Sequence, residues 1–419
     1  MRNQKRRISV RFVAALLALV MAFCLIGLPG DRKAEAATIN RQEGSQTVTT
    51  QDNPGEMQAV WLSFLEYKKK RYTKGQYTNY IHGVMTRAKS MGFNTVIMHV
   101  RPFSDAIYAS SYFPWSKYLC KGRNPGYDPL AIAVEEAHAQ GLQLHAWINP
   151  YPISTSTKIR KLPKSSPARR WGRSRNVLKF HGMLYYNPSK QAVRDLITAG
   201  VREIVQKYDV DGIHFDDYFY PSLGSGYRKN FDAREYRAYK KAQRRKHKKA
   251  KSIVSWRREN VNMLVRQVYG TVKSIKPNCQ FGISPAGNLS RLYSKSTYYT
   301  DVRKWMRTPG YIDYICPQIY WSFSHRICPY RKTVRKWMRI QRAGGVKVYI
   351  GLAGYRAGAK RRAGRAMGDI GWARSSSVLK KQVQLLRQYH ANGFSVFSYQ
   401  DLNRGSARKE MRKLKSVIK

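Results

Sequence analysis

The segment Asp211-Gly-Ile-His-Phe-Asp-Asp217 sets two adjacent carboxylates at the end of a short apolar run. Side chains alternate between the faces of a strand, so Ile213 and Phe215 share an apolar face while His214 and Asp216 share the other. Asp217 falls where the strand gives way to a loop. If the strand belongs to a parallel barrel, its C-terminal end opens onto the catalytic face and Asp216 points toward substrate. The chemistry open to such a pair is proton donation by one carboxyl and charge stabilisation or nucleophilic attack by the other. A strand-end Asp can equally be structural, accepting backbone N–H bonds.

Composition favours the chemical reading. The chain carries 78 Lys+Arg against 24 Asp+Glu, a formal net charge of +54, so acids are scarce. A charge of that size calls for a polyanionic neighbour such as an anionic cell-wall polymer, a lipid surface or shed nucleic acid, or else it is a uniformly basic coat. No specific nucleic acid is expected, because no helix-turn-helix, RNP-type or zinc-finger pattern accompanies the charge. Gly351-Leu-Ala-Gly354 is too short a glycine pattern for nucleotide binding. The nine histidines show no HxH, HxxxH or HExxH spacing and there is no CxxC pair, so neither a metal nor another cofactor is expected.

Residues 1–36 read as a secretion signal: a basic start from Arg2 to Arg11, an apolar core from Phe12 to Leu28 and the small-x-small site Ala34-Glu-Ala36. An uncleaved anchor is the alternative, since the apolar run is at the short limit for a spanning helix. Export would leave a chain with no transmembrane domain, associated with the cell wall. Residues 37–56 read as a linker and 57–419 as one domain. Cys120, Cys279, Cys316 and Cys328 remain after the leader, enough for one or two disulfides in an oxidising compartment, with pairing open. No signal bears on oligomeric state.

Short β-rich segments recur with helix-like segments between them, the pattern of repeated βα units. The candidate strands are Ala59–Phe64, Thr95–Arg101, Gln143–Asn149, Gly212–Asp217, Gln280–Ser284, Tyr314–Tyr320, Lys347–Leu352 and Phe394–Tyr399. Apolar residues at helical spacing mark Tyr80–Met91, Pro129–Gln140, Lys190–Tyr208, Ile253–Ile275 and Ser377–Asn392. Eight strands with crossovers predict an α/β fold, a (β/α)₈ TIM barrel. The excess length lies in two basic loops, Pro152–Tyr186 after the third strand and Pro221–Ser252 after the fourth. Their arginine and lysine runs would rim the mouth with positive charge.

The other strand ends carry aromatic and amide groups suited to sugar faces and hydroxyls. The first strand ends near Trp61 and Glu66, the second near Arg101 and Asp105, the third near His145, Asn149 and Tyr151. The fourth ends near Tyr218, the sixth near Gln318, Tyr320 and Trp321, the eighth near Tyr399 and Asp401.

Several segments together carry a family resemblance: Val100-Arg-Pro-Phe-Ser-Asp-Ala-Ile-Tyr, His145-Ala-Trp-Ile-Asn-Pro-Tyr, Asp211-Gly-Ile-His-Phe-Asp-Asp-Tyr-Phe-Tyr-Pro, Gly282-Ile-Ser-Pro and Pro317-Gln-Ile-Tyr-Trp. With Ala59-Val-Trp-Leu-Ser and Trp256-Arg-Arg-Glu-Asn, they resemble the glycosyl-hydrolase-like family 10 proteins of bacterial envelopes over about residues 57–405. The resemblance implies a TIM-barrel hydrolase acting on carbohydrate, some members being described as cutting peptidoglycan glycan strands. The Asp-Gly-x-x-x-Asp pattern is also similar to the strand that carries the nucleophile in amylase-type barrels.

Three departures stand out. Pro152 follows Tyr151 where the family pattern has a basic residue, the basic insert before Trp256 is large, and no Glu follows the fifth strand where an amylase-type enzyme carries its acid. The expectation is therefore a glycoside hydrolase in which Asp216 is nucleophile or stabiliser and Asp217, Asp105, Glu66 or Asp401 is the proton donor. His214 would orient Asp216. The rival reading is a weakly catalytic glycan-binding wall protein, which would tolerate loss of both acids.

Overall fold

The computed structural model describes residues 55–67, 71–172, 174–366 and 368–418. The secretion signal expected at 1–36 and nearly all of the linker expected at 37–56 lie outside the described residues. Eight parallel strands close a barrel: β1 (Met57–Leu62), β2 (Thr95–Arg101), β3 (Gln143–Ile148), β4 (Gly212–Asp216), β5 (Gln280–Ser284), β6 (Tyr314–Ile315), β7 (Lys347–Ala353) and β8 (Gly393–Phe397). Each pairs with its chain neighbours, and β1 with β8. Outward residues such as Ile213, Phe215, Phe281 and Ile283 are fully buried beneath the helices. Strands covered on both faces read in sequence as near-continuous apolar runs.

β6 is much shorter than the expected Tyr314–Tyr320. Pro317 has no N–H to donate into a ladder, so regular pairing stops at Ile315. Order returns at Gln318, which bridges Ala286 and Gly351 and so stays in the barrel wall. β1 and β8 end earlier than expected because Ser63 and Ser398 each open a capping box with the acid three residues on, Glu66 and Asp401.

A helix follows every strand. Lys74–Met91, Pro129–Ala139, Gln191–Lys207 and Ile253–Ile275 cover the first four, and Val378–Gln388 lies between β7 and β8. Three short helices, Val302–Arg307, Tyr330–Met338 and Arg408–Lys415, complete the ring and have no counterpart among the expected segments. The insertion after β3 is not a plain loop. It holds a three-stranded antiparallel sheet in which Met183–Tyr186 lies between Pro152–Ser154 and Val177–Phe180. Strands of three or four residues carry too little alternation to be read from sequence. The insertion after β4 holds the helix Ala233–Arg245, of which only Ala233 and Glu235 are buried.

The barrel interior is filled by aromatic and polar groups, among them Trp61, Trp147, His145, His214, Tyr314 and Tyr349. Two glycines make that filling possible. A Cβ on Gly212 would lie 2.6 Å from the His145 ring, and one on Gly282 would lie 2.1 Å from the Tyr314 ring. Gly282→Ala is expected to destabilise the protein by about 1–3 kcal/mol, the usual cost of overpacking a rigid core. Urea unfolding checks this, and an unchanged midpoint would contradict the packing account.

Candidate active site

The alternation expected for β4 is realised as three levels inside the barrel. Gly212 lies against His145 at the bottom, His214 stands in the middle, and Asp216 is uppermost beside Gln318. The pairing of β4 with β5 opposes His214 to Gly282 and Asp216 to Ser284.

The middle level is a hydrogen-bonded chain with one consistent proton order. The Trp61 indole N–H, which can only donate, reaches His214 Nε2 at 3.4 Å. His214 therefore carries its proton on Nδ1 and donates to the Tyr314 hydroxyl at 2.9 Å, and that hydroxyl donates to His145 Nδ1 at 2.9 Å. Burial keeps both imidazoles neutral, lowering His145 to about 4 and His214 well below the usual range. Both nitrogens of His214 are thus committed to Trp61 and Tyr314. It is a support beneath Asp216, and not the hydrogen-bonded orienter or substrate contact that sequence alone suggested.

Gln318 fills the orienting place. Its Nε2 donates to Asp216 Oδ1 at 2.7 Å and to the Ser284 carbonyl at 3.0 Å, and the Asp217 backbone N–H donates to the same Oδ1 at 2.7 Å. Asp216 and Asp217 are both buried. Burial raises Asp216 to about 6, opposed by the hydrogen bonds from the Asp217 backbone and from Gln318. Asp217 is raised further, first by burial and then by the charge of Asp216. The coupling between the two buried carboxyls favours ionised Asp216 and neutral Asp217. No lysine or arginine forms an ion pair with either among the described residues. The pair therefore holds one proton near neutrality, one member poised to donate and the other charged.

An aromatic wall stands beside the pair. The half-buried Tyr320 ring lies 6.2 Å from Phe397 and 5.7 Å from Tyr355, and its hydroxyl feels the charges of both aspartates. Phe397 also contacts Trp61 at 6.0 Å and Trp147 at 6.4 Å. Neither Phe397 nor Tyr355 was among the expected site residues. Phe397 alternates with Gly393 and Ser395 along β8, so its inward direction was legible. Tyr355 lies in a one-turn helix after β7, where periodicity gives no direction.

The remaining candidates are placed differently. Glu66 accepts the Ser63 N–H at 3.2 Å and the Gln400 N–H at 2.8 Å, pinning the end of β1 to the segment after β8, and burial raises it to about 7. Asp401 accepts the Ser398 N–H at 3.1 Å and pairs with Arg404 at 3.0 Å. Asp105 accepts the Lys117 N–H at 3.0 Å and is raised to about 6 by burial. Each has a local structural use, and none is grouped with Asp216. Arg101 is not at the mouth. A register shift between His99 and Arg101 turns its guanidinium toward Phe113, 4.3 Å from the ring centre, beneath the helix Gln191–Lys207.

Asn149 links the Trp147 N–H, at 3.1 Å, to the Pro102 carbonyl. Tyr151 is buried with its ring edge on Phe219, and Trp321 is buried against His325. Tyr218 and Tyr399 remain half-buried. Cys120, Cys279, Cys316 and Cys328 are all buried, and no two of these four are joined as the disulfides the sequence allowed.

The segment after Asp217 is clamped from below. Asp232 and Arg257 form a fully buried ion pair at 2.6 Å. The Tyr220 hydroxyl donates to Asp232 at 2.8 Å, and Arg257 donates to the Tyr227 carbonyl and the Tyr299 hydroxyl. Part of the basic rim is likewise committed: Arg169 and Arg170 donate to backbone carbonyls, and Arg175 forms a two-pronged pair with Glu235 of the other insertion. Arg173 lies outside the described residues, whereas residues 244–249 are exposed.

A closed parallel barrel whose fourth strand ends in a carboxyl pair beside an aromatic wall is the architecture of a TIM-barrel glycoside hydrolase. The chain belongs to the glycosyl hydrolase-like 10 family, whose model matches residues 56–365. It is 36% identical over 375 residues to "Glycosyl hydrolase YngK" of Bacillus subtilis, covering 83% of this chain and 69% of that one. It is 33% identical over 394 residues to "Glycosyl hydrolase DigH" of Escherichia coli K12, covering 85% of each. Its fold is similar to the PgaB (BpsB) glycoside hydrolase domain of Bordetella bronchiseptica, with TM-score 0.53, 12% identity and coverage of 86% and 99%. It is also similar to the β-amylase catalytic domain of Paenibacillus polymyxa, with TM-score 0.53, 14% identity and coverage of 87% and 99%.

Proposed function

We propose that this glycoside hydrolase acts outside the cell on an anionic cell-wall polysaccharide, peptidoglycan glycan strands being the substrate best supported, with Asp217 as proton donor and Asp216 as the charged stabiliser. The observation that carries the roles is the one-proton carboxyl pair held by Gln318 beside the Tyr320–Phe397–Tyr355 wall. The wall polymer is supported by the net charge of +54 and the leader-like residues 1–36. Among the described residues no helix is long and apolar enough to cross a membrane.

Neighbouring carboxyls coupled through one proton do not straddle a sugar as the roughly 5–5.5 Å pairs of retaining enzymes or the 6.5–9.5 Å pairs of inverting ones do. The pair therefore acts from one side of the sugar. Asp217 gives its proton to the leaving oxygen, and Asp216 stabilises the positive charge that develops on the ring. The nucleophile on the opposite face is the 2-acetamido oxygen that wall sugars themselves carry, and the water that then opens the oxazolinium ion from the vacated side returns a proton to ionised Asp217.

Mass spectrometry of soluble sugar fragments released from purified peptidoglycan, with and without stem peptides, tests the substrate. Fragments from the wild type that vanish with Asp216→Asn are expected; no fragments from either substrate would overturn it. The active form has Asp216 ionised and Asp217 neutral, so kcat/KM should fall as pH drops through about 6, where Asp216 gains its proton. It should fall again at higher pH as Asp217 loses its own. A profile flat from pH 5 to 9 would rule out this assignment.

A further inference from the structure

We propose that a basin on the flank of the mouth is an accessory site for an anionic carbohydrate polymer, gripping its phosphate or carboxylate groups apart from the catalytic pair. The basin lies between the loop after β6, the short helix Gly371–Arg374 and one face of Val378–Gln388. Its volume is about 560 Å³, the size of an ordinary small-molecule site.

Three exposed cations, Arg331, Arg374 and Lys381, surround it, and no acidic side chain lines it. Among the described residues none of the three has a hydrogen-bond or ion-pair partner, whereas Arg175, Arg257, Arg356, Arg387 and Arg404 are each matched to a carboxylate. The floor is apolar. Val378 and Leu385 are buried, and the half-buried Phe323 ring is held edge-on against Tyr330 at 5.3 Å. Guanidinium groups bind phosphate and carboxylate oxygens in pairs, and an aromatic face takes the C–H surface of a sugar. A carbohydrate carrying oxyanions answers to both.

The walls are fixed before any ligand arrives. Fully buried Asp369 accepts the Ser322 N–H at 2.9 Å, the Trp372 indole N–H at 3.1 Å and the Ser322 hydroxyl. Gln382 donates to the Trp321 carbonyl at 2.9 Å. Gly371 permits the close approach, since a Cβ there would lie 2.2 Å from Ser322 Oγ. Preorganised walls lower the ordering cost of binding. One strip of chain joins this basin to the catalytic pair: Gln318 and Tyr320 face the mouth, and Ser322 and Phe323 line the basin. A polymer chain bound in the basin would thus be held beside the cleft.

The test compares the full chain with two triple variants of equal charge change: Arg331→Gln/Arg374→Gln/Lys381→Gln in the basin, and Lys89→Gln/Arg202→Gln/Arg266→Gln on the exposed outer faces of three helices of the ring. Each is titrated calorimetrically with phosphomannan and with polygalacturonate at 150 mM salt, and thermal melts confirm that each is folded. The basin variant is expected to bind one polymer about 10-fold more weakly than wild type or more, and the helix-face variant to stay within about 3-fold, because a generic charge effect would weaken both alike. The polymer affected identifies phosphate or carboxylate as the recognised group. Equal losses in both variants, or unchanged binding in the basin variant, would overturn the site. Binding is read without hydrolysis, so a failed wall-cleavage assay leaves this result intact.

Discussion

Asp216→Asn is expected to lower kcat by about 10²–10⁴-fold, the range for removing a group that acts directly in the transition state. The same substitution should make the protein more stable at pH 8. The amide keeps an oxygen to accept from Gln318 and the Asp217 N–H, so the fold is retained. The stability change follows from the raised folded pKa: the folded state holds this proton more tightly than the unfolded chain, so wild-type stability falls as pH rises from 3.8 through about 6. About two pKa units correspond to on the order of 3 kcal/mol. That gain should be present at pH 8 and absent below about pH 4, where both carboxyls are neutral. Parallel urea melts and turnover measurements separate the outcomes. Loss of activity accompanied by loss of stability at pH 8 would make Asp216 a structural acid and end the catalytic assignment.

The second large effect lies beneath the site. Replacing Arg257 with Met strands the Asp232 carboxylate at a position with no exposed surface and leaves the Tyr227 carbonyl without its donor. Breaking a buried pair from one side costs about 3–5 kcal/mol, chiefly because the remaining charge is uncompensated. Asp232→Leu combined with Arg257→Met removes both charges and should recover most of that loss. Denaturant midpoints of the single and double variants check this. A double variant no better than the single would locate the cost in packing against Tyr220 and Tyr299, not in the orphaned charge.

Local sequence carried much of the framework and little of the site's wiring. β2 and β5 kept their expected limits because strands covered on both faces are written as unbroken apolar runs bounded by polar turns. The helix Ile253–Ile275 kept its limits because Ser252 caps it and Pro277 stops it soon after its end. Asp216 was legible for a related reason, as an acid on the inward side of a strand whose outward side is Ile213 and Phe215. Arg101 was not, because alternation assumes a regular ladder and the register shift after His99 breaks it. Glu66 and Asp401 showed their capping-box spacing in sequence, yet the contact from Gln400 to Glu66 joins residues over three hundred positions apart. His214 looked like a partner for Asp216 by spacing alone; only the fold brings Tyr314 and Trp61 to its two nitrogens.

The pairing of Arg175 with Glu235 bears on how this cleft can change over evolutionary time. It ties the small sheet inserted after β3 to the helix inserted after β4, and Phe231 reinforces the tie by packing on Phe180 and Tyr185. The two insertions therefore form one structural unit in two pieces of sequence. Swapping either loop alone into a related barrel would carry half a wall, so substrate range in such chimaeras should track the pair and not either insertion by itself.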